Sequence, residues 1–154
     1  HRAALASYRL ALAAYQQVGM TRGIAETQHN IGITLRDQGD LRGALVAAED
    51  ALRLAGEAGD ERLATLAATG RAELHLLLGD TALAAVELKR AAARYEQIGF
   101  GAGLAEVRRV QAGVARARGL RDDAARLLEE AALLAAEHGL SDVLTDVDRD
   151  RARG

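Results

Sequence analysis

Apolar residues recur along this chain at steps of three and four, the signature of one buried stripe on an α-helix. Leu5, Tyr8, Leu12 and Tyr15 form the first stripe, and Ile24, Thr27, Ile31 and Leu35 the second. Each stripe stops at a glycine. Glycine stands at 19, 39, 59, 79, 99, 119 and 139, an unbroken spacing of twenty. Glycine closes a helix because it enters the left-handed conformation without a Cβ penalty. The pattern predicts helices over 2–18, 21–38, 41–57, 60–78, 81–97, 102–118, 121–138 and 141–152, most of about 17 residues and so about 26 Å long.

The residue after each glycine divides the turns into two kinds. Val18-Gly19-Met20, Ile98-Gly99-Phe100 and His138-Gly139-Leu140 place an apolar residue where it can fold back on the last turn. Gly39-Asp40 and Gly79-Asp80 instead supply a carboxylate to cap the next helix, so that the pair is a stop and a start. Acidic and apolar followers alternate with a period of forty, broken at Asp60 and Leu120.

Alternate helices are also more alike than neighbours. Sliding by forty aligns Ala4-Leu5, Ala44-Leu45, Ala84-Ala85 and Ala124-Ala125, then Tyr8, Ala48, Leu88 and Leu128, then Ala11, Ala51, Ala91 and Ala131. Small residues flanking a variable apolar one let a second helix approach closely, so each forty-residue unit reads as an antiparallel helical hairpin. One hairpin cannot bury its stripe alone; stacked neighbours supply the core. The expectation is a single all-α domain over 1–154, with a half repeat 1–20, repeats 21–60, 61–100 and 101–140, and a terminal helix 141–154.

The residues Asn30-Ile31-Gly32, Leu35, Gln38-Gly39-Asp40, Ala44-Leu45, Ala48 and Ala51-Leu52 resemble the tetratricopeptide repeat. Ala72 and Ala112 keep the small residue matching Gly32, whereas Arg71 and Gln111 stand in the place of Ile31. Gln28, Ala68 and Arg108 replace the family's tryptophan, and proline is absent. The period of forty is similar to the longer repeats of kinesin light chain-like proteins and of the sensor regions of large bacterial transcriptional regulators. That resemblance implies a right-handed superhelix of about eight helices. It also implies a cytoplasmic setting, no catalysis, no cofactor or metal, and capture of a protein or peptide segment in a groove lined by the first helix of each repeat. A peptide- or small-ligand-sensing domain that switches an attached effector is the alternative.

The groove positions so implied are Glu26, His29, Ile33, Arg36 and Asp37, then Leu66, Thr69, Glu73, Leu76 and Leu77, then Glu106, Arg109, Gly113 and Arg116. Some family members clamp a terminal carboxylate with lysine and asparagine, and others line the groove with asparagines. Here His29 and Ile33 replace the clamp and Asn30 is the sole asparagine, so the implied ligand is a mixed apolar and charged segment.

Composition narrows the remaining chemistry. Hydrophobic residues make up 49%, aromatics only 3%, and alanine, leucine, arginine and glutamate favour helix over strand. A net charge of -2 gives no pull toward nucleic acid or anionic membrane. No apolar run reaches the roughly 18 residues of a membrane span. The absence of cysteine excludes disulfides. The chain opens at His1, which suggests an excised fragment with any targeting signal outside it.

Arg108, Arg109, Arg116, Arg118 and Arg121 cluster on and after the sixth helix, where they could dock an acidic partner. Pairing with Glu129, Glu130 or Asp146 is the intramolecular alternative. Direct nucleic-acid binding is not expected, since Glu106, Asp122 and Asp123 interrupt the patch and no aromatics are interleaved. Gly99 to Gly103 reads as an inter-repeat turn rather than a phosphate loop, because no strand precedes it. Asp146, Asp148 and Asp150 lack the glycine and glutamate of a calcium loop. His1, His29, His75 and His138 show no metal spacing, and His75 reads as a packing residue. Leu5, Leu10 and Leu12 on the first helix are expected to stay partly exposed and to support a homodimer.

Overall fold

The computed structural model describes residues 2–153, so the sequence feature at His1 lies outside the described residues. Eight α-helices follow one another with no strand among the described residues: α1 (Arg2–Val18), α2 (Thr21–Asp37), α3 (Leu41–Glu57), α4 (Glu61–Leu77), α5 (Thr81–Gln97), α6 (Gly101–Ala117), α7 (Arg121–Glu137) and α8 (Ser141–Ala152). The all-helical class is as the sequence predicts. Helix α6 begins one residue earlier and α4 one residue later than the pattern indicates, and α2, α4, α6 and α7 each end one residue earlier, because the last residue before each glycine adopts the cap.

All seven spaced glycines have positive φ, from +66° to +92°. The amide of the next residue donates back across the last turn, as from Met20 to Tyr15 O (3.0 Å), Asp40 to Leu35 O (2.9 Å) and Leu140 to Ala135 O (2.8 Å). This arrangement satisfies carbonyls that a helix end would otherwise leave unpaired. The expected fold-back of an apolar follower is seen at Phe100, whose ring lies 5.5 Å from that of Tyr95. The Asp40 carboxylate accepts from Gly43 N at 2.9 Å, and Asp60 and Asp80 accept from Leu63 N and Leu83 N at 3.0 Å. Met20, Phe100, Leu120 and Leu140 begin their helices without a side-chain cap.

The chain divides into two compact units, His1–Leu78 and Gly79–Gly154, so the boundary falls inside the predicted repeat 61–100. In the first unit each helix packs on the next, and α2 also touches α4. Gly32 lets α2 approach α3 so closely that a Cβ there would sit 3.3 Å from Ala44 O. Fully buried Ala25, Ala44, Ala51, Ala55 and Ala67 continue the close packing. Leu74 seals one end of this core against Ala44 and Ala48, flanked by Leu35, Leu41 and Leu45.

The second unit repeats the plan. Helices α5 to α8 pack in sequence and α6 also touches α8. Ala112, Ala115, Ala124, Leu128, Ala131 and Val147 form its core. The Tyr95 ring lies over Gly103, where a Cβ would be 2.5 Å away, and Tyr15 lies over Gly23 in the first unit in the same manner. These contacts explain the second glycine in each of those turns: an aromatic ring occupies the space a side chain would need. Because the cores are built mainly of alanine, each buried residue contributes little apolar area, and backbone geometry carries a correspondingly larger share of stability.

Two glycines separate the turn requirement from helix propensity. Gly39→Ala forces a Cβ into φ +85° and is expected to lower stability by about 1 kcal/mol. Gly56→Ala, inside α3 with no atom near the new Cβ, is expected to raise it by about 0.5–1 kcal/mol. Urea unfolding followed by circular dichroism measures both, and equal effects at the two positions would contradict the assignment.

Candidate functional site

The helices that the sequence nominates as groove-lining are α2, α4 and α6, and their outward faces differ from one another in chemistry. In the first unit, α2 and α4 lie side by side, and a Cβ on Gly70 would be 3.8 Å from His29 Cε1. Arg36 of α2 forms an ion pair with Glu73 of α4 and a second with the neighbouring Asp37 at 3.0 Å. The guanidinium is largely withdrawn from water, which alone would lower its pKa, but Glu73 and Asp37 outweigh that effect and raise it. Arg36 is therefore a bridge between alternate helices.

His29 lies beside this bridge, half-buried on α2. Burial lowers its pKa, and the Arg36 charge lowers it further, so the ring is held neutral. Glu26 is exposed and pairs with Arg22 at 3.0 Å, and Arg22 also reaches Asp60 at 3.1 Å. Ile33 is 38% and Leu77 53% exposed, while Leu66 and Leu76 are half-buried. Thr69 departs from its expected role. It is only 1% exposed, and its hydroxyl donates to Thr65 O at 2.9 Å, so it belongs to the packing layer and offers a partner nothing. Thr27, Thr34 and Thr65 are buried with the same bond to the carbonyl four residues back, which satisfies a hydroxyl inside a helix without a second chain.

In the second unit, the corresponding positions on α6 are drawn into an internal network. Arg109 is 8% exposed, donates to Glu106 at 2.6 Å and reaches across to donate to Asp150 of α8 at 3.0 Å. Arg116 donates to the backbone oxygen of Asp150 at 2.9 Å. Gly113 is half-buried between them. Arg109 is thus a positioning element of the fold rather than a free cation, which corrects its assignment as a partner-binding residue. Arg116 stays about one third exposed.

The arginine cluster divides accordingly. Arg108 is engaged by Glu96 at 3.1 Å and Glu130 at 3.2 Å, so of the three acids proposed as internal partners Glu130 serves, while Asp146 pairs instead with Arg149 at 2.7 Å. Arg118 and Arg121 are exposed. The hub of the network, Asp150, escapes the sequence reading, in which the end of α8 is a run of charge. Its signal is a separation of 41 residues from Arg109, one repeat plus one, which brings the pair together on adjacent alternate helices. Asp146, Asp148 and Asp150 lie on a helix and each faces an arginine. No group of three or more metal-ligating side chains converges among the described residues. No helix among them is long and apolar enough to cross a membrane.

A concavity opens on this unit. A cavity of about 450 Å³ lies among α6, α7 and α8, next to Arg116 and Asp150.

No protein-family model matches the chain, and no curated protein does so either.

The buried His29 makes stability depend on pH. The unfolded chain takes up a proton as pH falls through the ordinary histidine value of 6.5, whereas the folded chain resists it. Stability is therefore complete above that pH and declines as pH falls below it. His29→Gln is expected to flatten the unfolding free energy between about pH 7 and pH 5.5. Urea titrations at several pH values check this, and an unchanged slope would assign the acid sensitivity to other groups.

Proposed function

We propose that this chain is a non-catalytic, tetratricopeptide-like interaction module, a right-handed solenoid segment of a larger bacterial regulatory or scaffold protein acting in the cytoplasm. It receives a protein or peptide segment, and neither nucleic acid nor membrane. The observation that carries the reading is the pairing of alternate helices: α2 touches α4 and α6 touches α8, as expected of hairpins stacked with their first helices side by side. The glycine ladder and the forty-residue alignment support the same conclusion.

The charge inventory narrows the partner. Arg36 and Glu73 are satisfied within the fold, so the surface left for a partner in the first unit is apolar at Ile33 and Leu77, flanked by the exposed acids Glu26 and Asp37, each of which also pairs with an arginine of its own helix. Such a face suits an amphipathic helix carrying aliphatic anchors and a basic flank. The second reading, a sensing domain that switches an attached effector, draws on the cavity of the second unit. Self-association through α1 is a subordinate expectation: α1 contains no buried residue and Leu10 is 74% exposed, although Leu5 and Leu12 are partly covered.

Helical peptides selected for binding to the intact chain test the proposal. Ile33→Asp combined with Leu77→Asp is expected to weaken them at least about tenfold, the scale of losing two apolar anchors. Leu10→Asp should leave affinity unchanged. Loss with Leu10→Asp and retention with the double variant would move the binding surface to α1.

A further inference from the structure

Residues eighty apart hold the same place in the repeat, one in each unit. In the second unit Arg109 of α6 donates to Asp150 of α8 at 3.0 Å, and Arg116, two turns further along α6, donates to the Asp150 backbone oxygen at 2.9 Å. Eighty residues before Arg109, Arg116 and Asp150 stand His29, Arg36 and Gly70. The first unit thus keeps a nitrogen-bearing side chain at both positions of α2 and lacks the acid opposite them. Arg36 pairs instead with Glu73, one turn beyond Gly70 on α4. His29 has no hydrogen-bond or ion-pair partner among the described residues.

The space a carboxylate would need is open. Gly70 lies inside α4, and a Cβ there would have one heavy atom from outside its own backbone within 4 Å, His29 Cε1 at 3.8 Å. That carbon joins the two ring nitrogens, so the polar edge of the imidazole borders the gap. Glycine weakens a helix interior relative to alanine, and Gly70, unlike Gly32 and Gly103, meets no crowding that requires it. The charge that bears most on the ring is that of Arg36, which favours an anion beside it. The nearby acids are engaged elsewhere, Glu73 by Arg36 and Glu26 by Arg22. Ile33, one turn after His29 and 38% exposed, adds an apolar shelf.

We propose that the gap over Gly70 is a subsite for one acidic side chain of the partner helix, a glutamate or aspartate whose carboxylate accepts from His29 as that of Asp150 accepts from Arg109. The inference rests on α2 and α4 forming the docking face. It adds a central acid to the aliphatic anchors, and partners with an amide or an ammonium at that place bind less well.

NMR of the intact chain with labelled histidines reads the subsite directly, with His75 and His138 as internal references. Propionate, the glutamate side chain in isolation, is expected to shift the His29 ring signals saturably and to raise the pH at which they titrate, and propionamide to do neither. Gly70→Asp supplies the carboxylate from within; it is expected to raise the His29 titration by itself and to abolish the response to propionate. Affinity gives a second readout, with C-terminally amidated helical peptides selected on the chain. These are expected to carry an acid whose exchange for the amide weakens binding about tenfold, the scale of one charge-assisted hydrogen bond. Gly70→Ala, which fills the gap, is expected to weaken the same peptides while raising the melting temperature. A His29 signal silent to propionate, or equally responsive to propionamide, would overturn the proposal, as would selected peptides that carry no acid or are indifferent to its exchange. The docking face is judged separately. Peptides indifferent to Ile33→Asp with Leu77→Asp, beside a His29 that responds to propionate, would retain the anion subsite and remove the face; peptides lost with that double variant, beside a silent His29, would do the reverse.

Discussion

The left-handed glycine is the constraint on which the rest of this structure depends. Seven times the chain reverses through a residue with φ between +66° and +92°, and seven times the next amide bonds back across the helix end or the next carboxylate caps the following helix. A residue with a Cβ would be strained at each point. Because the reversals are evenly spaced, the first seven helices have the same length of 17 residues, and α2 lies alongside α4 in the first unit as α6 does alongside α8 in the second. Pairs separated by about one repeat then meet: Arg36 with Glu73 across 37 residues and Arg109 with Asp150 across 41.

Those crosslinks matter because the cores are thin in apolar area. Alanine at 44, 47, 48, 51 and 55 allows α3 to be approached closely, but a buried alanine contributes far less than a leucine. Ion pairs withdrawn from water add specificity to the alignment of alternate helices at a desolvation cost, which each network offsets with several partners: Asp37 and Glu73 for Arg36, Glu106 and Asp150 for Arg109. The consequence for function is direct. Charged side chains that the family resemblance offers to a ligand are in this protein partly committed to holding the helices in place, which leaves the proposed recognition to exposed apolar groups such as Ile33 and Leu77.

The helices, their ends and the aspartate caps were legible in the sequence because each is set locally, by a glycine, a carboxylate and a stripe within 17 residues. The face to which a residue belongs was legible too, from the period of forty. Depth was not. Thr69 and Leu76 both lie on the nominated face of α4, yet the first is sealed and the second half-exposed, a distinction made by side chains of other helices. Arg108 and Arg109 read as a free basic patch because their acids, Glu96, Glu106, Glu130 and Asp150, come from four helices, three of them distant in sequence.

The central claim, that arginine–carboxylate pairs between alternate helices hold the nominated binding face in register, is tested most directly by a double-mutant cycle on Arg36→Met and Glu73→Gln in urea unfolding. Both side chains are less than one quarter exposed or close to it, at 24% and 13%. The predicted coupling is at least about 1 kcal/mol, above the range of exposed pairs. A coupling indistinguishable from zero would mean that the two helices are aligned by backbone packing alone and that Arg36 is free to serve a partner.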